Sequence, residues 1–244
     1  MKFTQIAALC ALASTAAFTQ AAVWQDFSLT GLYGENYAHP VGMVDDLEQS
    51  TITAEYAAGL KYGDIFAFAD RTNNDLSGNE TYFEVAPRLS LGAVTGQKLE
   101  LGPIKDVLIA TTWEGNSGAS DFNNYLYGIG FALDIPYTSY ANINFYKADN
   151  DLQKDDYQMT ITYAVPFKIG GEEFLADAFL DWSTAEGPDH KSELNWTSQY
   201  KWNVGKHISP ETKLYLGIEH SIWNNKFGTD VDQHDVSALV KYHF

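Results

Sequence analysis

Cysteine is almost absent from this chain, and basic residues are scarce. The only cysteine is Cys10, inside an apolar N-terminal stretch, so the rest of the chain offers no disulfide, thiolate nucleophile or cysteine metal ligand. Lysine and arginine number 15 against 32 aspartates and glutamates, which gives a formal net charge of −17. Because a nucleic-acid interface needs a basic face for the phosphates, this balance argues against nucleic-acid binding.

Long apolar runs are also missing after the first 21 residues. No later stretch approaches the ~18 apolar residues of a transmembrane helix. Residues 1–21 have the features of a signal peptide: Lys2 supplies a positive charge, apolar or small residues run from Phe3 to Phe18, and Ala21 fits a cleavage position. We expect a mature chain of residues 22–244. Its apolar residues are too frequent for a disordered acidic segment, since they make up 45% of the sequence.

The mature chain shows a period-two alternation of apolar and polar residues. In the last ten residues every second side chain is apolar, namely Val236, Ala238, Val240, Tyr242 and Phe244. The positions between them are mainly polar. Such a segment fits a strand with one face in an apolar medium and the other face in water.

Twelve segments of this kind are predicted, and most are about ten residues long, the length of a tilted strand that crosses a bilayer. They are residues 24–34, 51–61, 64–73, 80–91, 105–114, 122–134, 138–147, 156–165, 173–183, 192–202, 211–223 and 234–244. Polar connections after odd-numbered strands, such as 35–50, are longer than most of those after even-numbered strands, with 92–104 as the exception. We therefore predict an all-β fold for residues 22–244, a 12-stranded antiparallel transmembrane β-barrel in the bacterial outer membrane with both termini periplasmic.

A secreted β-sandwich is the alternative fold. Its buried faces would be rich in Val, Ile and Leu. Here the apolar face is rich in Tyr, Trp, Gly and Ala, and the other face carries charges in mid-strand, so we favour the barrel. We expect two interfacial belts of tryptophan, formed by Trp113, Trp182 and Trp223 at one end and by Trp24 and Trp202 at the other.

Proline in a strand is a separate marker. Pro87 lies in the segment 80–91 and cannot donate to a strand ladder, so we expect a β-bulge there.

The polar face of each strand would line a wet lumen. Carboxylates such as Asp70 are placed inside because a charge near the middle of a bilayer costs about 2 kcal/mol or more. Twelve side chains are predicted to contact a solute in the lumen: Glu55, Phe66, Phe68, Asp70, Tyr82, Glu84, Arg88, Asp177, Phe179, Asp181, Lys201 and Glu219. Aromatic rings stack on planar faces and carboxylates accept hydrogen bonds from hydroxyl groups, so this set suits a flat, polar, uncharged solute. In the alternative interpretation, internal charges only pair with one another and hydrate the bore.

Several sequence blocks resemble the Tsx nucleoside-channel family, in its OmpK branch. The most specific are residues 82–91, which contain Glu84-x-x-Pro87-Arg88, and the block at 101–106. Weaker blocks follow in the same order along nearly the whole mature chain, at 54–56, 67–70, 126–130, 163–166 and 179–182. The resemblance implies a monomeric 12-stranded barrel that passes nucleosides and that serves phages as a receptor. It also implies that a terminal strand ending in Phe244 is the address for the barrel-assembly machinery.

The sequence favours some functions over others. A passive nucleoside channel is favoured. The alternative is a general small-solute porin, or a barrel that binds partners through its loops. An enzyme is disfavoured because Gly-x-Ser-x-Gly is absent and no serine nucleophile can be placed near His243, the inner-face histidine. We expect no cofactor and no metal site, and we expect lipid and lipopolysaccharide around the barrel.

Overall fold

The computed structural model of the chain describes residues 22–40, 43–118, 121–187 and 190–244. The expected signal peptide, residues 1–21, lies outside the described residues and stays a prediction. The periplasmic placement of the termini also stays a prediction.

The described residues form a closed antiparallel barrel. Its strands are β1 (Ala22–His39), β2 (Val44–Leu60), β3 (Gly63–Asn74), β4 (Gly78–Ser90), β5 (Ile104–Ser117), β6 (Phe122–Leu133), β7 (Tyr140–Asp149), β8 (Asp156–Ile169), β9 (Glu172–Ser183), β10 (Glu193–Asn203), β11 (Lys213–Asn224) and β12 (Gln233–His243). Each strand pairs with its neighbours in sequence, and β1 closes the barrel on β12 between Ser28↔His243 and Tyr33↔Ala238. Closure leaves no open edge for lipid to contact, and the predicted fold class is confirmed.

Helical structure is confined to short connections. The helix α1 (Leu91–Thr95) follows β4, where Ser90 caps its first turn by accepting a hydrogen bond from the Ala93 amide at 2.9 Å. Single 3₁₀ turns occupy Gly205–His207 and Lys226–Gly228. Within the described part of the chain, no helix is long and apolar enough to cross a membrane.

The β1–β2 hairpin differs from the prediction. Most of residues 35–50, expected as a loop, belong to the two strands, which are joined only by residues 40–43. The hairpin outruns β12, because the pairs between β1 and β12 end at Tyr33 while the pairs with β2 continue to His39. Its polar sequence indicated a loop because strands that rise beyond the bilayer no longer need an apolar face.

Pro87 does not produce the expected bulge. The register of β4 against β5 is the same before it, at Val85↔Trp113, and after it, at Arg88↔Ala110, although the two positions between are unpaired. The Thr111 hydroxyl donates to the Pro87 carbonyl at 2.9 Å, so the carbonyl is satisfied without an inserted residue. Register shifts occur instead in β1–β2 and between β5 and β6.

The tryptophan belts are only partly as predicted. Trp113, Trp182 and Trp202 alternate with lumen-facing neighbours and are exposed on the outer surface. Trp24 and Trp223 instead share a face with the polar residues, because Trp24 pairs with Gly59 and Trp223 pairs with Asn195 and Gln233. Their placement in the belts was wrong, since their position in the alternation outweighs the preference of the indole ring for the interface.

Candidate functional site: the barrel lumen

Contacts between strands that are not neighbours identify the inner face of the barrel. Lys241 on β12 forms an ion pair with Glu55 on β2, and Arg88 on β4 reaches Asn144 on β7 with 3.4 Å between Nη1 and Oδ1. These contacts skip the intervening strands and must therefore run through the interior. Because directly paired residues lie on the same face of the sheet, the cross-strand pairs then identify the inner-face residues of the other strands.

All twelve predicted solute-contacting residues lie on this inner face. Direct pairs join Glu55 to Phe68 and Phe68 to Glu84, and Asp70 to Tyr82. On the other side of the barrel the remaining members take part in the inner-face rows of β9, β10 and β11, and they are Asp177, Phe179, Asp181, Lys201 and Glu219. Phe66 and Arg88 follow by alternation on β3 and β4.

Four rings form what we call the aromatic track, defined as Phe66, Phe68, Tyr82 and Phe122. The ring centroids of Phe66 and Phe68 are 5.9 Å apart, those of Phe68 and Tyr82 5.7 Å, and those of Tyr82 and Phe122 6.4 Å. The track runs along the wall from the end of the barrel that carries the termini, the terminal rim, toward the opposite end, the far rim. Phe122 was assigned to a strand from the sequence but was not recognised as part of the lumen.

Acidic groups surround the part of the aromatic track that lies nearer the far rim. The Tyr82 hydroxyl donates to Glu84 at 2.6 Å and to Glu114 at 3.1 Å, and these two glutamates are direct cross-strand partners. Asn124 also donates to Glu114, at 2.8 Å. Glu114 was missed because the predicted strand ended at that residue. The alternation of Thr112 and Glu114 with Trp113 was the signal that could have placed it inside.

Asp181 faces the same space from another strand. Its Oδ1 accepts hydrogen bonds from the Thr160 hydroxyl at 2.5 Å and from the Gln158 amide at 3.4 Å. It lies close enough for its charge to act on Glu84 and on Glu114.

Ion pairs occupy other parts of the lumen wall. Lys201 is fully buried at its side chain and donates to Asp177 at 2.6 Å and to Gln199 at 3.0 Å. Gln199 in turn donates to Glu219 at 2.8 Å. For Lys201 and Asp177, the interpretation that internal charges pair with each other is correct.

Two further ion pairs complete this pattern. Arg88 binds Asp64 through two hydrogen bonds of 2.8 and 2.7 Å. Glu55 is held by Lys241 and also accepts from Ser28 at 3.2 Å and Thr30 at 3.3 Å. Arg88, Lys201 and Lys241 are thus each paired with a specific carboxylate.

The far rim is narrowed by the β1–β2 hairpin. The hydroxyl groups of Tyr37 and Ser237 are 2.8 Å apart, and the amides of Asn36 and Ala38 donate at 3.2 Å to Asp235 and Gln233, respectively. Tyr37 and Ala38 are consequently buried. The hairpin is therefore fastened to β12 through side chains, beyond the last backbone pair.

Lys226 reinforces the far rim from the connection between β11 and β12. Its ammonium group donates to the Ala38 carbonyl at 2.9 Å and to Gln233 at 2.5 Å, and it lies 4.8 Å from the centre of the Trp223 ring. Burial lowers the pKa of Lys226 to about 8, although the charges of nearby acids oppose this shift. No feature of the sequence distinguished this lysine from the solvated ones.

The terminal rim contains a cavity of about 540 Å³, within the size range of small-molecule sites. Its lining includes Lys168 and Glu173, which form an ion pair of 2.9 Å, and the polar side chains of Asn203 and Tyr215. Tyr215 and Asn203 are inner-face partners, whereas the stacked rings of Phe167 and Phe174 lie on the outer face, so the cavity lies at the edge of the terminal rim.

A closed antiparallel barrel with a polar, charged lumen defines a channel of the porin class. In fold the chain is similar to a solved structure described as "KdgM porin", with a TM-score of 0.50 and 10% identity over 89% of this chain and 99% of that one. The family model described as "Nucleoside-specific channel-forming protein, Tsx" matches residues 23–244, and the chain belongs to this family. The family is one of channels and not an enzyme class.

Individual relatives agree with this assignment. The chain is 29% identical over 176 residues to the outer membrane protein OmpK of Vibrio parahaemolyticus, covering 69% of this chain and 66% of that protein, slightly less than two thirds of its length. It is 25% identical over 234 residues to the nucleoside-specific channel-forming protein Tsx of Salmonella typhimurium, covering 80% and 79%. The chain is thus an outer-membrane β-barrel.

Proposed function

We propose that this barrel is a passive channel for nucleosides. The observation that carries the proposal is the aromatic track, a row of rings spaced 5.7–6.4 Å apart along one wall of a polar lumen. A nucleobase is planar and stacks on an aromatic ring, a contact worth about 1–3 kcal/mol per base in proteins that bind single strands. The family membership supports the same substrate class.

The track suits transport because it offers repeated sites of similar chemistry. A base that stacks on Phe66 has the ring of Phe68 5.9 Å further on, and the ring of Tyr82 5.7 Å beyond that. Stepwise exchange between adjacent weak sites allows a solute to enter and also to leave. One tight site at the same place would instead retain the solute.

The polar groups beside the track match the sugar. Ribose hydroxyl groups donate hydrogen bonds, and the carboxylates of Glu84 and Asp70 are acceptors next to the rings. Gln199 and Glu219 supply an amide and a carboxylate on the opposite side of the bore. A nucleoside can therefore place its planar base on the aromatic rings and its sugar hydroxyl groups beside the carboxylate and amide groups.

Liposome swelling with purified protein tests the proposal. Adenosine and uridine are compared with disaccharides and with sugars of similar mass, and we expect faster swelling with the nucleosides. The variant Phe66→Leu/Phe68→Leu removes ring faces but keeps apolar volume and should reduce nucleoside flux selectively. Phe145→Leu, an exposed ring on the outer surface, is the matched control and should leave flux unchanged. Equal swelling for nucleosides and sugars would reduce the protein to a general small-solute porin.

The remaining partners are also proposals. We infer a phage-receptor role from the β1–β2 hairpin, which rises beyond β12 and carries the exposed acids Asp45 and Asp46. Phage adsorption to cells that carry the hairpin truncated between residues 36 and 47 measures this role. We likewise propose contact with lipopolysaccharide, recognition of Phe244 by the barrel-assembly machinery and a monomeric state.

A further inference from the structure

The charges of the lumen are compensated unevenly along the bore. Among the inner-face acids, those within ion-pair distance of a lysine or an arginine include Asp64, Glu55, Asp177 and Glu173, which lie toward the terminal rim or in the middle of the strands. Four acids closer to the far rim lack such an ion pair with any described residue.

We call four of these the acidic cluster: Asp70, Glu84, Glu114 and Asp181. Among the residues that the structure describes, none of the four has an ion-pair partner. Their hydrogen-bond donors are neutral, such as the Tyr82 hydroxyl, the Asn124 amide and the Thr160 hydroxyl. No cationic side chain of the described chain therefore lies within ion-pair distance of the cluster, and a bound cation would be its first counter-ion.

One carboxylate oxygen of the cluster is left without any partner. Asp70 Oδ1 is buried and accepts no hydrogen bond from the described residues. A buried acceptor of this kind is normally satisfied, and its pairing by a bound group would remove the cost. Asp70 is the direct cross-strand neighbour of Tyr82, the residue whose hydroxyl contacts Glu84 and Glu114.

Aromatic rings lie among these acids. Tyr82 is between Phe68 and Phe122, with ring centroids 5.7 and 6.4 Å away, and its own hydroxyl joins Glu84 to Glu114. The negative face of an aromatic ring attracts a cation, and the attraction is larger where water is partly excluded. Rings and uncompensated carboxylates together favour a ligand that is both planar and positively charged.

We propose that the acidic cluster and the rings of Phe68, Tyr82 and Phe122 form a binding site for planar organic cations. A planar cation lies against the lumen-facing surfaces of these rings, and its charge lies beside Glu84 and Glu114. The site goes beyond the passage of uncharged nucleosides and does not depend on it. A consequence for small ions is that potassium is admitted in preference to chloride, because a charged lumen concentrates its counter-ions.

The test uses the purified barrel in a planar lipid bilayer with two probes. 1-Methylnicotinamide is a planar cation, and nicotinamide is its neutral counterpart of nearly the same size. Half-maximal block of the potassium current should need about tenfold less of the cation than of the neutral probe. Equal block by the two probes, or a reversal potential that indicates chloride preference, would overturn the proposal.

Two double variants locate the site. Glu84→Gln/Glu114→Gln removes the charge and should abolish the preference for 1-methylnicotinamide, whereas Glu100→Gln/Glu211→Gln, at exposed acids outside the strands, should preserve it. Tyr82→Leu keeps both carboxylates, removes the central ring and should reduce the preference, which tests the site should the glutamine pair fail to insert. An unchanged preference in Glu84→Gln/Glu114→Gln contradicts the site. Nucleoside swelling measured on the same samples separates this outcome from a failure of the proposed channel function.

Discussion

At the scale of single residues, the inner face was predictable but the pairing of its charges was not. Alternation places Lys201 and Asp177 inside because a charge on the lipid face is costly. Their 2.6 Å contact depends on the register of β9 against β10, where Asp177 pairs with Gln199 and not with Lys201 itself. Register follows from turn geometry and from packing around the whole barrel, and neither can be derived from one strand.

The buried ion pair yields a stability prediction. Asp177→Asn leaves the fully buried ammonium of Lys201 without its counter-ion and should lower the free energy of unfolding by about 3 kcal/mol. The double variant Asp177→Asn/Lys201→Met should recover most of that loss. Asp155→Asn is the matched control, because its ion pair with Lys147 is exposed to solvent and should contribute little to stability. Urea titration in detergent micelles measures the differences, and a loss in the double variant as large as in the single one would contradict the explanation.

Lys226 leads to a pH prediction. Its pKa is about 8 in the folded protein against 10.5 when unfolded, so the unfolded state holds more protons between these values. The contact between Lys226 and the β1–β2 hairpin should therefore gain stability as the pH rises from 8 to 10.5, by up to about 3 kcal/mol. Proteolysis of the hairpin at pH 8, 9 and 10 follows this change. Lys226→Met should remove the pH dependence. Lys191→Met changes an exposed lysine in the connection between β9 and β10 and should retain it.

At the scale of elements, strands with an apolar lipid face were found to within a few residues. The predicted segment 80–91 corresponds to Gly78–Ser90, and 173–183 corresponds to Glu172–Ser183. The β1–β2 hairpin was not found, because its paired residues above the bilayer are polar on both faces. The pairing there comes from the hydrogen bonds of the hairpin itself and from side chains such as Tyr37, which a periodicity argument does not detect.

The hairpin depends on a close approach at Gly34. A Cβ atom at this position would lie 2.8 Å from the Asp235 carboxylate oxygens and would collide with the Ser237 hydroxyl. Gly34→Ala should push the hairpin away from β12 and weaken the hydrogen bonds of the Asn36 and Ala38 amides, each worth about 1 kcal/mol. Hydrogen exchange at these amides should accelerate and the ion conductance should rise. Gly31→Ala is the control, since its Cβ meets only Val240 at an ordinary 3.4 Å, and equal behaviour of the two variants would contradict this account.

At the scale of the whole molecule, the barrel is closed by the pairing of its two terminal strands, β1 and β12. The C-terminal alternation from Val236 to Phe244 predicted a strand with one lipid face, and that strand is the partner of β1. The order of strands was also predictable, because short connections make sequence neighbours pair. The shape of the bore was not, since the side-chain hydrogen bonds that hold the hairpin against β12, such as that between Tyr37 and Ser237, form only in the assembled barrel.

Variants of Phe244 distinguish its contribution to the β1–β12 seam from its proposed recognition by the barrel-assembly machinery. Its amide donates to the Phe27 carbonyl at 2.9 Å and survives replacement of the side chain, while its ring is largely exposed and contacts Phe27 with 5.4 Å between centroids. Phe244→Ala should therefore leave refolding of the purified protein into detergent nearly unchanged, with a loss of about 1 kcal/mol from the ring contact.

In cells the same variant should lower the amount of folded barrel in the outer membrane, because the terminal aromatic residue is proposed to be the signal for the assembly machinery. Heat-modifiable mobility on gels reports folding in both settings, and Phe244→Tyr should behave as wild type in both. Should Phe244→Ala lose folding equally in the test tube and in the cell, the ring is needed to close the β1–β12 seam, and recognition by the assembly machinery need not be invoked.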